Sequence, residues 1–259
     1  MSSRIRTLEG VENFRDYGDY ATAAGRRLAG GRLLRSGHHA RATDADLQVM
    51  ADHGLEVVVD LRRAGERREQ PSRRLESLAC TVIESDDQEH ADAPHIQFLK
   101  TTDLTEDSVR TFMLEVYRDM PYDPRLVGLY RRYFEALAEA KGAVLIHCAA
   151  GKDRTGLLAA LTHTLAGVSD DDLMEDYLLT NQAVRLQARA PEIRERLQRL
   201  YGRSATDAAV RAFLGVEPAF LDAAFAEIRA RHGSLDAYLS QVLGIDAALR
   251  EKVEARLLG

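Results

Sequence analysis

The chain contains no tryptophan, two cysteines and six prolines in 259 residues, and no apolar run long enough for a membrane span. Two thiols cannot build the disulfide framework of a small secreted scaffold, so Cys80 and Cys148 read as free thiols in a reducing compartment. Crossing a bilayer takes about 20 consecutive apolar residues, so no integral membrane association is predicted. The N-terminus shows no signal-peptide apolar core, which predicts a cytoplasmic protein and leaves export only to a non-classical route. A formal net charge of -6 argues against nucleic-acid partners. His38-His39, and His90 with His95, have no matching cluster at ligand spacing, so neither a metal nor a cofactor is expected. The 45% apolar content is enough for a large core.

What is present is a ten-residue stretch after the apolar run Ala143-Val144-Leu145-Ile146: His147-Cys148-Ala149-Ala150-Gly151-Lys152-Asp153-Arg154-Thr155-Gly156. A strand ending at His147 and a helix beginning near Arg154 leave a short loop whose backbone N–H groups can point inward. Such a nest, completed by the positive end of the helix dipole, fits phosphate. A thiol at a helix N-terminus beside cations ionises below its usual range, which predicts Cys148 as the nucleophile. The thiolate gained at pH 7 is worth at most about thirtyfold, so positioning and charge stabilisation have to supply most of the rate. Arg154 suits that task because its planar fork donates two parallel hydrogen bonds to phosphoryl oxygens, a geometry that a lysine does not copy. Ala149, Ala150 and Gly151 keep the loop floor small, and Thr155 puts a hydroxyl where it would assist the departing thiolate. Gly151 and Gly156 suit positions where a side chain would crowd the turn.

Two plainer readings compete. A lone cysteine is usually a small buried hydrophobe, and Gly151-Lys152 suggests a nucleotide-binding Walker loop. The Walker pattern fails at two places, with Ile146 where its first glycine belongs and Asp153 where its hydroxyl belongs. The stretch resembles the phosphate loop of the protein tyrosine phosphatase superfamily. Gly-Lys-Asp-Arg-Thr-Gly is similar to its bacterial and fungal branch of atypical tyrosine and phosphoinositide phosphatases. Asn13-Phe14-Arg15-Asp16 with Gly18, Arg35-Ser36-Gly37, Asp60-Leu61-Arg62 and Gly233-Ser234-Leu235-Asp236-Ala237-Tyr238-Leu239 also recur there, so the similarity spans nearly the whole chain. The resemblance implies metal-independent hydrolysis of phosphotyrosine, of phosphoserine or phosphothreonine, or of phosphoinositide headgroups, with Cys148 the nucleophile and Arg154 the phosphate binder. Phosphorylated proteins, lipid headgroups and small-molecule phosphates are the expected partners. A phosphatase for a soluble nucleotide or sugar phosphate is the alternative, since loop chemistry does not separate them.

A general acid must protonate the leaving group, and without tryptophan there is no Trp-Pro-Asp loop to supply it. In the similar branch an aspartate at the position of Asp153 has that role, which makes Asp153 the first choice. Asp86 and Asp87 in the acidic stretch 84–92, and Asp123 before Pro124, are the competitors, each read more readily as a solvated loop carboxylate. Lys152 favours substrates with more than one phosphate or only steers a single one. His147 is expected to orient the cysteine, and Asp60 and Arg62 to support the loop. The arginine pairs Arg62-Arg63, Arg67-Arg68 and Arg73-Arg74 read as a solvated face or as a field that steers acidic substrates.

The organisation predicted is α/β, one phosphatase domain over 1–259 with a central, mainly parallel sheet flanked by helices. Residues 1–167 form the catalytic core and 168–259 a helical extension. Thr43 with Asp46 starts a helix that stops at Gly54. Strands are expected over 55–61, 78–83 and 143–147, with Cys80 a buried strand residue, and helices over about 105–119, 125–140 and 154–167. Beyond Gly167 the pattern is helical, broken near Pro191, Gly202, Gly215 and Gly233. By the same resemblance, 178–203 occupies the place of a helical lid; an ordinary amphipathic hairpin fits the pattern as well. Nothing in the sequence signals an oligomeric state.

Overall fold

A computed structural model describes residues 4–74, 78–85, 94–102, 104–184, 186–202 and 204–258. Strands β1 (Arg15–Asp16), β2 (Leu33–Ser36), β3 (Leu55–Asp60), β4 (Thr81–Glu84) and β5 (Ala143–His147) form one sheet in the order β1-β2-β5-β3-β4. Only β1 runs antiparallel to its neighbour; β2, β5, β3 and β4 are parallel. The connecting helices are α1 (Asp44–Ala51), α2 (Ala64–Glu69), α3 (Pro94–Thr101), α4 (Glu106–Asp119) and α5 (Pro124–Glu139). After β5 come α6 (Asp153–Ala166), α7 (Asp170–Leu178), α8 (Thr180–Ala183), α9 (Leu186–Tyr201), α10 (Asp207–Leu214), α11 (Pro218–His232), α12 (Leu235–Gln241) and α13 (Ala247–Leu257). This is the mainly parallel α/β arrangement that the strand and helix alternation predicts.

The period of two along β5 decides where the chemistry points. Val144, Ile146 and Cys148 join the large core that the sheet shares with α4, α5, α6 and the later helices. Ala143 and Leu145 face the smaller core under α1, with Leu34, Val58, Leu47 and Met50. Cys148 therefore emerges on the side of α6, and His147 falls on the other side. β5 lies between β2 and β3, so the loop after it opens beyond the carboxyl ends of three parallel strands, where such sheets bind ligands. The pairing of β3 with β5 continues one step past the strand, Leu61 N–H donating to the His147 carbonyl at 2.8 Å.

Two expectations are corrected. Cys80 is half-buried and precedes β4 rather than lying in it, because pairing with β3 begins only at Val57 opposite Thr81. It packs against the smaller core, whereas Cys148 belongs to the larger one. Pro191 does not break the helix but lies inside α9. It is the sixth residue of that helix, so its missing N–H removes only one bond from the start of the ladder. The chain does turn at Gly202 and Gly233, both at positive φ.

α1 starts in a capping box, Thr43 Oγ1 accepting from Asp46 N–H and Asp46 Oδ2 from Thr43 N–H. The same carboxylate accepts from Glu9 N–H at 2.9 Å and Gly10 N–H at 2.7 Å, which fastens the N-terminal segment to the start of α1. Burial alone would raise this carboxyl, but the backbone donors of Thr43, Gly10 and Glu9 outweigh it and hold it below its ordinary value. Asp46→Ala should therefore lower unfolding free energy by about 2 kcal/mol at neutral pH. A depressed acid stabilises above its unfolded pKa of about 3.9 and loses that stabilisation below it, so urea titrations should show the gap to wild type closing on acidification.

Candidate active site

For a loop to present its amides inward, its carbonyls must turn outward and find other donors. That is the arrangement after β5. The Ala149 carbonyl accepts from His38 N–H at 3.1 Å. Asn13 Nδ2 donates to the Gly151 carbonyl at 2.7 Å and to that of Ala150 at 3.4 Å. Arg35 Nη2 adds a bond to the Gly151 carbonyl at 2.9 Å. Gly151 has φ +66°, and a Cβ there would stand 2.3 Å from the Ser36 carbonyl oxygen. Lys152 at the N-cap of α6 offers no side-chain cap, so the first-turn amides of that helix have no capping oxygen. Cys148, 2% exposed, sits at the foot of this loop.

The outward carbonyls rest on a buried charge cluster. Arg15 Nε donates to Asp176 Oδ1 at 2.8 Å and Arg35 Nη1 to Asp176 Oδ2 at 2.6 Å, all three side chains being almost fully buried. Arg15 also donates to Asn13 Oδ1, aligning the amide that holds the loop. Asn13 itself has φ +58°. Burial would raise the Asp176 carboxyl, but Arg15 and Arg35 hold it well below the carboxylate range. The short motifs around Asn13 and Arg35 are thereby explained: they sit on β1 and β2 as the backing of the loop, and α7 supplies their shared anion.

Arg154 is carried by the first turn of α6. Its Nη1 and Nη2 donate to the two oxygens of Glu66 at 2.6 and 2.8 Å, and Nη1 also reaches the Leu61 carbonyl at 3.2 Å. Of the five guanidinium donors, these contacts occupy three. The Nε–H and the second Nη2–H, which form the side fork, have no acceptor among the described residues. Burial would lower the Arg154 pKa, yet the Glu66 carboxylate outweighs it and raises it further, so the fork stays charged. Tyr130 Oη holds the Arg154 carbonyl at 2.9 Å. Glu66 was not singled out from the sequence; its only signal is its place one turn into a helix that follows Asp60-Leu61-Arg62.

Asp60 and Arg62 form a buried pair, and Asp60 Oδ2 stands 3.6 Å from His147 Nε2. Arg62 Nη2 donates to Asp60 Oδ2 at 2.7 Å and Nε to Oδ1 at 2.9 Å, and both side chains are buried. The Arg62-Arg63 pair is thus no solvated face: Arg62 is fully engaged, and Arg63 bonds Asp123 at 3.4 Å. Burial pushes the His147 imidazole down to about 4, so the ring is neutral near pH 7. Its Nδ1 lies 3.4 Å from the Cys148 carbonyl, and its ring lies against that of His39, centroids 4.4 Å apart. His39 is in turn 3.0 Å from Ser36 Oγ.

Asp153 is the first residue of α6, and its Oδ1 accepts from Tyr117 Oη at 2.9 Å. Lys152 is 4% exposed, its Nζ donating to the Phe213 carbonyl at 2.6 Å and standing 3.5 Å from Asp153 Oδ1. It is therefore engaged with α10 rather than extended over the loop. Thr155 Oγ1 is buried and has no hydrogen-bond partner among the described residues. Asp123 caps α5, accepting from the N–H groups of Arg125 and Leu126, and so reads as structural. Asp86, Asp87 and His90 lie outside the described residues, as does the side chain of His95. Tyr117 and Asp176 are further residues that sequence reasoning missed, since each reaches the loop from outside the motif, Tyr117 from α4 and Asp176 from α7.

A thiol at the foot of an outward-tied loop, with a guanidinium fork on the following helix, defines a cysteine-dependent phosphatase class of site. The chain belongs to the tyrosine phosphatase family, whose model matches residues 6–259. It is 35% identical to a putative tyrosine-protein phosphatase of Cupriavidus necator, over 92% of this chain and 84% of that one. It is 32% identical to the triple specificity protein phosphatase PtpB of Mycobacterium tuberculosis, over 98% and 99% of the two chains. The solved structure of P. aeruginosa TpbA aligns with 80% of this chain and 96% of its own at 18% identity, and its TM-score of 0.27 adds nothing to the fold described above. No helix among the described residues is long and apolar enough to cross a membrane.

Gly151→Ala should remove the loop's anion affinity while leaving the helical circular dichroism intact, because the added Cβ clashes with backbone of Ser36 and Gly37 beside the loop rather than with a helix. Titration with orthovanadate checks this, and unchanged affinity contradicts the loop geometry.

Proposed function

We propose that this chain is a metal-independent phosphatase that hydrolyses phosphate monoesters through a phosphocysteine intermediate on Cys148, with protein phosphotyrosine as its first substrate class. Phosphoserine, phosphothreonine and phosphoinositide headgroups belong to the same reading. The observation that carries it is the outward tethering of the Ala149, Ala150 and Gly151 carbonyls, which leaves an amide nest around the thiol. A trigonal phosphoryl group held in that nest presents two equatorial oxygens to the side fork of Arg154, while Glu66 keeps the end fork fixed. Nucleophile and stabilising charge both come from the chain itself. Asp153 donates the proton to the leaving oxygen, and Thr155 serves the departing thiolate. The triple specificity in the name of the Mycobacterium tuberculosis relative supports phosphoproteins over soluble metabolites.

Initial rates without added metal on a phosphotyrosine peptide, a phosphoserine peptide, a phosphoinositide and soluble sugar and nucleotide phosphates test this reading. Cys148→Ser should abolish turnover, and Arg154→Lys should reduce kcat/KM by about 1,000-fold despite keeping the charge. Turnover only on a soluble metabolite would replace the substrate class. Normal turnover by Cys148→Ser would overturn the mechanism.

A further inference from the structure

Two consecutive helices, α6 and α7, and the earlier α4 meet behind Asp153. Tyr177 Oη on α7 donates to Tyr117 Oη on α4 at 2.7 Å, and Tyr117 Oη donates to Asp153 Oδ1 on α6 at 2.9 Å. Both phenols are buried, Tyr117 at 0% and Tyr177 at 1% exposure. Burial raises both well above the ordinary phenol value, so they remain protonated donors across the working range of any phosphatase. Their rings meet edge to face at 6.4 Å, and Phe220 closes over Tyr117 at 5.7 Å. A Cβ on Gly156 would come within 3.1 Å of the Tyr177 ring, so this glycine of the loop motif is what admits the chain of phenols.

We infer that Tyr117, backed by Tyr177, is a positioning residue that fixes the Asp153 carboxyl so that only Oδ2 exchanges the proton with the substrate. This rests on Asp153 being the general acid. The argument is one of valence. Oδ1 accepts from Tyr117 and has Lys152 Nζ at 3.5 Å, which makes Oδ2 the oxygen left to carry a proton. In the first half-reaction Cys148 Sγ bonds to phosphorus as the ester P–O bond breaks, and Asp153 Oδ2–H gives its proton to the leaving oxygen. The carboxylate so formed is stabilised by the Tyr117 hydroxyl and the α6 N-terminus. In the second half, water bonds to phosphorus as the S–P bond breaks, its proton returns to Asp153 Oδ2, and phosphate and thiolate are released.

The charged and titratable groups around this carboxyl are Lys152 and Arg154 on its own helix terminus, Cys148 at the loop foot, Tyr117 from α4 and Tyr177 from α7. Arg35 on β2 and Glu217 at the N-cap of α11 face Tyr177, and Glu217 pairs with Arg110 at 2.8 Å. Removing the Tyr117 hydroxyl takes a donor from the carboxylate alone, so the basic limb of the kcat/KM profile should move to higher pH.

The test is Tyr117→Phe and Tyr177→Phe, compared on nitrophenyl phosphate and an alkyl phosphate, with Asp153→Asn alongside and Tm recorded for each. Tyr117→Phe should lower kcat about tenfold on the alkyl ester and about twofold on the nitrophenyl ester, with KM unchanged and the basic limb moved up. Tyr177→Phe, which keeps the bond to Asp153, should give the same pattern in smaller degree. Equal loss on both esters with an unmoved limb would reduce Tyr117 to a packing residue and overturn the inference. If Asp153→Asn itself leaves leaving-group dependence unchanged, the acid assignment fails, and that outcome is distinct from failure of the tyrosine pair alone.

Discussion

The Gly151 carbonyl and the two groups that hold it, the Asn13 amide and the Arg35 guanidinium, set the geometry on which the site depends. A backbone carbonyl facing into a phosphate pocket would repel the substrate; the same carbonyl drawn back onto buried donors leaves the amides to face it. The donors stay in place because Arg15 and Arg35 share Asp176, and moving either guanidinium away would leave buried charge uncompensated. The triad therefore ties three parts of the chain together: β1 and β2 at one sheet edge, the loop after β5, and α7 in the helical half.

This arrangement separates binding from chemistry. The nest and the side fork of Arg154 are held by contacts behind and beside them, with Glu66 occupying the end fork, so ordering them takes little rearrangement when phosphate arrives. Asp153, the proposed acid, lies on the first turn of α6. Lys152 leans away onto α10 through the Phe213 carbonyl. That contact joins the loop to the helices after Gly202, and it weakens the expectation that Lys152 stands ready for a second phosphate.

Much of the fold was legible because one period is simple to read. The alternation of Ala143, Val144, Leu145 and Ile146 assigns β5 to a buried strand and puts Cys148 on a defined face, and Thr43 with Asp46 marks the start of α1. The loop residues were legible as a group because they are contiguous. Glu66, Tyr117 and Asp176 were not, since each reaches the loop from another helix and periodicity reports which face is buried without reporting what it meets. Arg62 had two readings, a support of the loop and part of a solvated face, and only the second is excluded, because its partner Asp60 two residues earlier is folded against it. Cys80 was placed in a strand by its apolar neighbours, although β3 offers it no pairing partner.

The account stands on a covalent step at one sulfur. Mixing the protein with a phosphotyrosine peptide, quenching in acid within the first turnover and measuring the mass of the fragment containing Cys148 tests it most directly. The predicted result is a phosphoryl adduct on Cys148 that decays as inorganic phosphate is released. An enzyme that turns over under these conditions with Cys148 unmodified at every quench time, and the phosphoryl group on another residue or on none, would contradict it.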